Sequence, residues 1–179
     1  MTPNDVIAFW LGVGQENWFA DDPELDAEIR KRFEPQWRKA RDGKLADWKR
    51  SAEGILALLI LLDQFPRNMF RGKADAFSTD KEARELARVS LVRGYDFAFP
   101  MALRAFFYLP FMHSEDLADQ DLCVKLIAER LGTSSVNYPF ALGHRDVIVR
   151  FGRFPMRNVA LGRRSTAAEK AFIAKSSPH

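Results

Sequence analysis

The run Ile55-Leu56-Ala57-Leu58-Leu59-Ile60-Leu61-Leu62 constrains this chain more than any other stretch. Eight successive apolar residues leave no polar face, so a helix built from them is buried on every side. A membrane span needs roughly 20 such residues, which makes this one a central core helix. Strict apolar–polar alternation never lasts beyond a few residues, whereas helix signals recur throughout. The spacing therefore predicts an all-α array of about eight helices joined by short turns. With 179 residues, 15 Phe and 4 Trp, one domain over residues 1–179 has enough apolar material for a core.

The helix ends are marked by local chemistry. Thr2-Pro3-Asn4-Asp5 offers a cap, a first-turn proline and an answering acid. Asp22-Pro23 opens a second helix whose Leu25, Ile29, Phe33 and Trp37 form one stripe, with Pro35 predicting a kink or restart. Ser51 opens the central helix, and Phe65, preceding Pro66, predicts that it ends near Gln64. Ser78 or Thr79 caps a helix over 80–93 that Gly94 closes. Further helices are expected over 98–109, stopped by Pro110, from Ser114 to Leu131, and over about 140–153. Thr166 with Glu169 reads as a capping box for a last short helix.

Polar residues interrupt this plan at the end of the central helix. Asp63 faces the negative end of the helix dipole, which is unfavourable unless a cation answers it. Arg67 and Arg71 are close enough in sequence to do so. Asp63, Gln64, Arg67, Asn68 and Arg71 make either a buried structural pair or the lining of a polar pocket, and both readings stand. The letters recur later: Phe65-Pro66-Arg67-Asn68 is echoed by Phe154-Pro155-Met156-Arg157-Asn158. That second copy lies in a stretch, Arg145 to Arg164, with six arginines, no lysine and one acid, Asp146. Arginine offers a planar fork of donors that suits carboxylates and phosphates.

His113, Glu115 and Asp116 gather at another predicted helix start. Capping by Ser114 and first-turn acids explains most of that cluster, while His113 beside acids also suits proton transfer or ligand contact. His144 shares a helix face with Val147, Ile148 and Phe151, and so reads as a hydrogen-bonded core histidine. No metal-ligand spacing, glycine-rich phosphate loop, nucleophile elbow or dinucleotide fingerprint is present, and no cofactor is implied. Net charge of +3 and the lack of a nucleic-acid-binding motif argue against nucleic acid as a partner. One cysteine, Cys123, excludes an internal disulfide. With an N-terminus that does not read as a signal peptide, it points to the cytoplasm.

The segments LLDQFPRNMFRG, AFSTD, FFYLPFMHSEDLADQ and RFGRFPMRN…LGRRST resemble, in order, the bacterial family called domain of unknown function 924. The resemblance spans nearly the whole chain and implies an all-α fold grouped with tetratricopeptide-like helical arrays. It implies no activity. It carries Asp63 to Asn68, Arg71, His113, Glu115, Asp116, Gln120, His144, Arg150, Arg153 and Asn158 onto the family pattern. Met156 departs from it, standing where relatives read histidine. The expectation that follows is an Arg-rich groove for an anionic small molecule or an acidic peptide. Arg67, Arg71, Arg150, Arg153 and Arg157 would hold the anion, with Gln64, Asn68 and Asn158 lining the groove and Asp63, Glu115 and Asp116 orienting the arginines. The alternatives are a hydrolase using His113 or His144 with Glu115, and a helical scaffold for protein partners.

Overall fold

A computed structural model describes residues 1–175, and within them every regular element is helical. The described residues group into two compact units. The first comprises Met1–Arg71 and Asp75–Pro110; the second comprises Gly72–Ala74 and the chain from Phe111 onward.

In the first unit, α1 (Pro3–Val13) starts with the expected capping box between Thr2 and Asp5. Helix α2 (Pro23–Arg41) is capped by Asp22, which accepts from the Glu24 and Leu25 amides. Contrary to expectation, α2 runs through Pro35 without restarting. Helix α3 (Ala52–Leu59) begins at Ser51, and its first turn requires a glycine. A Cβ on Gly54 would lie 1.9 Å from the Trp48 carbonyl oxygen. Around α3 lie Trp10, Phe33, Trp37, Phe65 and Phe106, all nearly inaccessible to solvent.

The largest departure from the sequence reading comes next. The central helix does not end at Gln64. Ile60–Gln64 widens into a π-turn, and α4 (Phe65–Met69) continues the rod with Phe65 still in helical backbone geometry. Pro66 cannot donate to the Leu62 carbonyl, but the Thr79 hydroxyl does so at 2.6 Å. The wider turn likewise leaves the Asp63 carbonyl to the Arg67 guanidinium, at 2.6 Å. Side chains thus satisfy the carbonyls that proline and the π-turn release, which is what such an insertion requires.

Helix α5 (Asp80–Val92) follows Thr79, whose hydroxyl serves Leu62 rather than capping its own helix, and Gly94 adopts the left-handed conformation after it. The single helix expected over 98–109 is instead broken into α6 (Met101–Arg104), a tight 3₁₀ turn, and α7 (Leu109–Met112). Pro110 lies in the first turn of α7, where its missing donor costs nothing, rather than stopping a helix.

In the second unit, α8 (Leu117–Arg130) and α9 (Asn137–Phe151) form an antiparallel hairpin, with Arg145 bound to Asp121 across it. Asp116, not Ser114, caps α8 by accepting from the Ala118 amide. Ser114 donates to Asp119 instead. Helix α9 begins about a turn earlier than expected and ends at Gly152 in left-handed geometry. Helix α10 (Ala167–Lys175) opens with the expected Thr166–Glu169 box.

Candidate functional site

Each Phe-Pro segment organises a polar network within its own unit. In the first, Asp63, Gln64 and Asn68 are buried, and Arg67 is 17% exposed. Arg67 forks onto Asp80 with contacts of 2.9 and 3.1 Å, and its Nη1 lies 3.4 Å from an Asp63 oxygen. Burial works against the charge on Arg67, yet Asp63 and Asp80 together raise its pKa above the ordinary arginine value. Asn68 accepts from Gln64 at 3.0 Å and donates to Asp26 at 2.9 Å. Arg71 also engages Asp26, at 2.7 and 3.0 Å, and those hydrogen bonds raise its pKa. Arg67 and Arg71, expected to hold an anion, hold carboxylates of this chain.

The second network is built on the segment from Arg153 to Arg163. Arg153 binds Glu169 through two contacts, 2.6 and 2.9 Å, which together with the Thr166 amide hold the Glu169 pKa down to about 2. Asn158 is fully buried and spans the network, donating to Ser165 and accepting from Arg163. Arg163 in turn forks onto Glu115 at 2.6 and 3.0 Å, and the Phe154 amide donates to Glu115 at 2.8 Å. Burial works to raise the Glu115 pKa, but Arg163, the Phe154 N–H and the nearby Arg157 charge together hold it below the usual glutamate value. A carboxylate so held accepts hydrogen bonds and is poorly suited to donate a proton.

Arg157 donates to the His113 carbonyl at 2.9 Å while its guanidinium lies 4.5 Å from the Phe154 ring centre. His113 and His144 are half-buried, with ring centres 6.4 Å apart, and His144 packs edge-on to Phe154 at 5.5 Å. The His144 Nδ1 lies 2.8 Å from the Phe140 carbonyl, so Nδ1 carries the proton. Among the described residues, no three His, Cys, Asp or Glu side chains stand together as a metal site would need.

Two expected site residues lie outside this network. Asp116 serves as the α8 cap rather than orienting an arginine, and Arg150 rests over Phe151 and Phe172. Met156, expected to be a point of departure from the family pattern, is exposed beside the network.

Residue-by-residue reasoning missed Asp26, Thr79, Asp80 and Arg163. Asp26 and Asp80 look like ordinary first-turn acids, and only the fold brings them to arginines 45 and 13 residues away. Glu169 was legible as a cap but not as the partner of Arg153.

These networks can be set against known proteins. The model of a family described as "Bacterial protein of unknown function (DUF924)" matches residues 6–177. The chain belongs to that family. A solved structure of a protein of unknown function from Agrobacterium tumefaciens is 41% identical, with a TM-score of 0.92 and 97% of each chain covered. No curated protein matches. The DUF924 assignment and this neighbour agree with the all-α fold expected from the sequence. No helix among the described residues is long and apolar enough to cross a membrane.

Proposed function

We propose that this DUF924 protein binds a small anion, a carboxylate or phosphate group, at the arginine cluster of its second unit. One observation carries the reading: two carboxylates, Glu115 and Glu169, gather three guanidinium groups, those of Arg153, Arg157 and Arg163. The arginines bound to these carboxylates remain partly exposed, at 29% for Arg153 and 22% for Arg163, so a ligand can reach their guanidinium groups from solvent. From residue 111 onward the sequence has ten Lys and Arg against seven Asp and Glu, so the surrounding field favours an anion as well. The Arg157 guanidinium, 4.5 Å from the Phe154 ring centre, adds a third planar donor group to the cluster. Glu115 and Glu169 orient the forks, and Asn158 fixes their spacing.

The ligand is a small molecule or the acidic end of a peptide, and the reading carries a cytoplasmic location with it. The buried thiol of Cys123 is in keeping with a reducing compartment. Thermal denaturation with inorganic phosphate, pyrophosphate and di- and tricarboxylates tests it. A ligand at 100 times its dissociation constant adds roughly 2.7 kcal/mol of stability. A stabilisation that added salt abolishes and that Arg157→Leu removes is expected; equal stabilisation of wild type and variant contradicts it.

A second reading, hydrolysis, draws on the adjacency of His113 and His144. With Glu115 occupied by Arg163, the proton carrier would be one of the two imidazoles. Hydrolytic activity that survives in a His113→Ala, His144→Ala double variant removes this reading.

A further inference from the structure

In the first unit the outer faces of α1 and α2 leave a groove of about 920 Å³ between them. Asp5, Ala8, Phe9 and Gly12 share one side of α1, at helical spacings of three and four. Long side chains bridge the two helices. The Phe9 ring centre lies 4.8 Å from that of Phe33, and the Arg32 guanidinium of α2 stands 4.5 Å from the Phe9 centre. Phe9, Val13 and Leu25 are half-buried and give the groove an apolar bottom. Ala8 and Gly12 are exposed at its edge, and a Cβ added to Gly12 would meet no atom of the described residues within 4 Å. Two small residues a turn apart allow another backbone to approach closely.

The charge around the groove is one-sided. Residues 1–28 contain seven Asp and Glu and no Lys or Arg. Some of these acids are answered from elsewhere: Arg32 binds Glu28 at 3.0 Å, and Arg71 binds Asp26 and lies 3.4 Å from Asp21. Asp5 and Asp22 line the groove, accept from main-chain amides, and meet no cationic side chain among the described residues. Helix capping explains why those two acids stand where they do. It explains neither the open apolar trough beside them nor the lack of any basic residue in the first 28.

We infer that this groove docks an amphipathic helix of a partner protein, one whose apolar stripe is flanked by lysine or arginine. Its walls are helices whose main-chain groups are already bonded, so it receives side chains and cannot extend a strand. From Asp5 to Val13 the α1 wall is about 12 Å long at 1.5 Å per residue, which matches about two turns of a docked helix. Apolar side chains at i, i+3 or i+4, and i+7 of the partner rest on Phe9, Val13 and Leu25. Ala8 and Gly12 admit its backbone, and its basic residues face Asp5 and Asp22. This surface is separate from the arginine cluster in the second unit and takes a ligand of opposite charge.

Fluorescence anisotropy of a labelled peptide of leucine, alanine and lysine, with leucine at three- and four-residue intervals and lysine flanking it, tests the inference. Saturable binding to the whole chain is expected. A peptide of the same composition with the leucine period scrambled binds at least tenfold more weakly, and one with glutamate in place of lysine does not bind. Gly12→Leu, which fills the groove, lowers affinity at least tenfold, and Ala8→Leu blocks the same groove independently. Asp5→Asn combined with Asp22→Asn keeps the capping acceptors, lowers affinity several-fold and weakens its salt dependence. Circular dichroism and thermal denaturation check that each variant keeps the wild-type fold. No saturable binding, equal binding of the scrambled peptide, or unchanged affinity in both groove-filling variants overturns the inference. A wild-type dimer that Gly12→Leu dissociates, seen by sedimentation velocity, would give the groove to a second copy and overturn it as well.

Discussion

The two Phe-Pro segments use nearly the same letters for different work. In the first, Arg67 is largely buried and meets two carboxylates, Asp63 and Asp80, while its Nη1 also caps the carbonyl that the π-turn exposes. Charge closes on itself there. In the second, Arg153 and Arg163 flank the proline, each meets a single carboxylate, Glu169 or Glu115, and they stay 29% and 22% exposed. One residue inserted after the proline, Met156, turns the arginine about 100° further around a helical turn than its counterpart. The comparison teaches that a repeated motif does not imply a repeated role: burial and the ratio of acids to arginines decide between brace and binding group.

The comparison can be broken most sharply at Arg67. Arg67→Ala leaves Asp63 and Asp80 without their shared cation, and removing one partner of a buried pair costs about 3–5 kcal/mol. Urea denaturation reads this directly; a loss below about 1 kcal/mol would mean the first network is not a brace. Thr79→Val is next. It strips the hydroxyl that serves the Leu62 carbonyl and accepts from the Trp37 indole, for an expected loss of about 1–3 kcal/mol.

A pH series probes the second network. Glu169 stays ionised in the fold down to about pH 2, against an ordinary value of 4.5. Its contribution is whole above pH 4.5 and is lost as the pH falls toward 2, because the unfolded chain takes up the proton first. Stability measured across that window should fall more steeply for wild type than for Glu169→Gln; parallel slopes would remove Glu169 from the account. The smallest effect is expected at Arg71, whose side chain is 42% exposed: Arg71→Ala should cost no more than about 1 kcal/mol.

What the sequence made legible was local. The caps at Thr2, Asp22, Ser51 and Thr166 each involve residues within three positions of one another, so their chemistry is written in the order of the letters. Pro66 misled because the rule for residues before proline assumes a regular helix. The π-turn and Thr79, 17 residues from Leu62, supply what that rule takes to be missing. The 98–109 segment failed for the opposite reason: its apolar content suited a helix, yet the backbone tightens into a 3₁₀ turn at Ala105–Phe107. The polar residues of the site were legible as types, but their partners were not. Asp26, Asp80 and Arg163 meet Arg71, Arg67 and Glu115 only after folding.

The most direct test of the contrast between brace and binding group sets Arg157 against Arg71. Both are arginines that follow a Phe-Pro segment and both are accessible to solvent, but Arg71 is held by Asp26 in the first network, whereas Arg157 belongs to the proposed anion site. Pyrophosphate titrated calorimetrically into wild type, Arg157→Leu and Arg71→Leu should bind wild type and the Arg71 variant alike and lose at least tenfold in affinity for the Arg157 variant. Equal loss in both variants, or no saturable binding by wild type to pyrophosphate or to a tricarboxylate, would contradict the account.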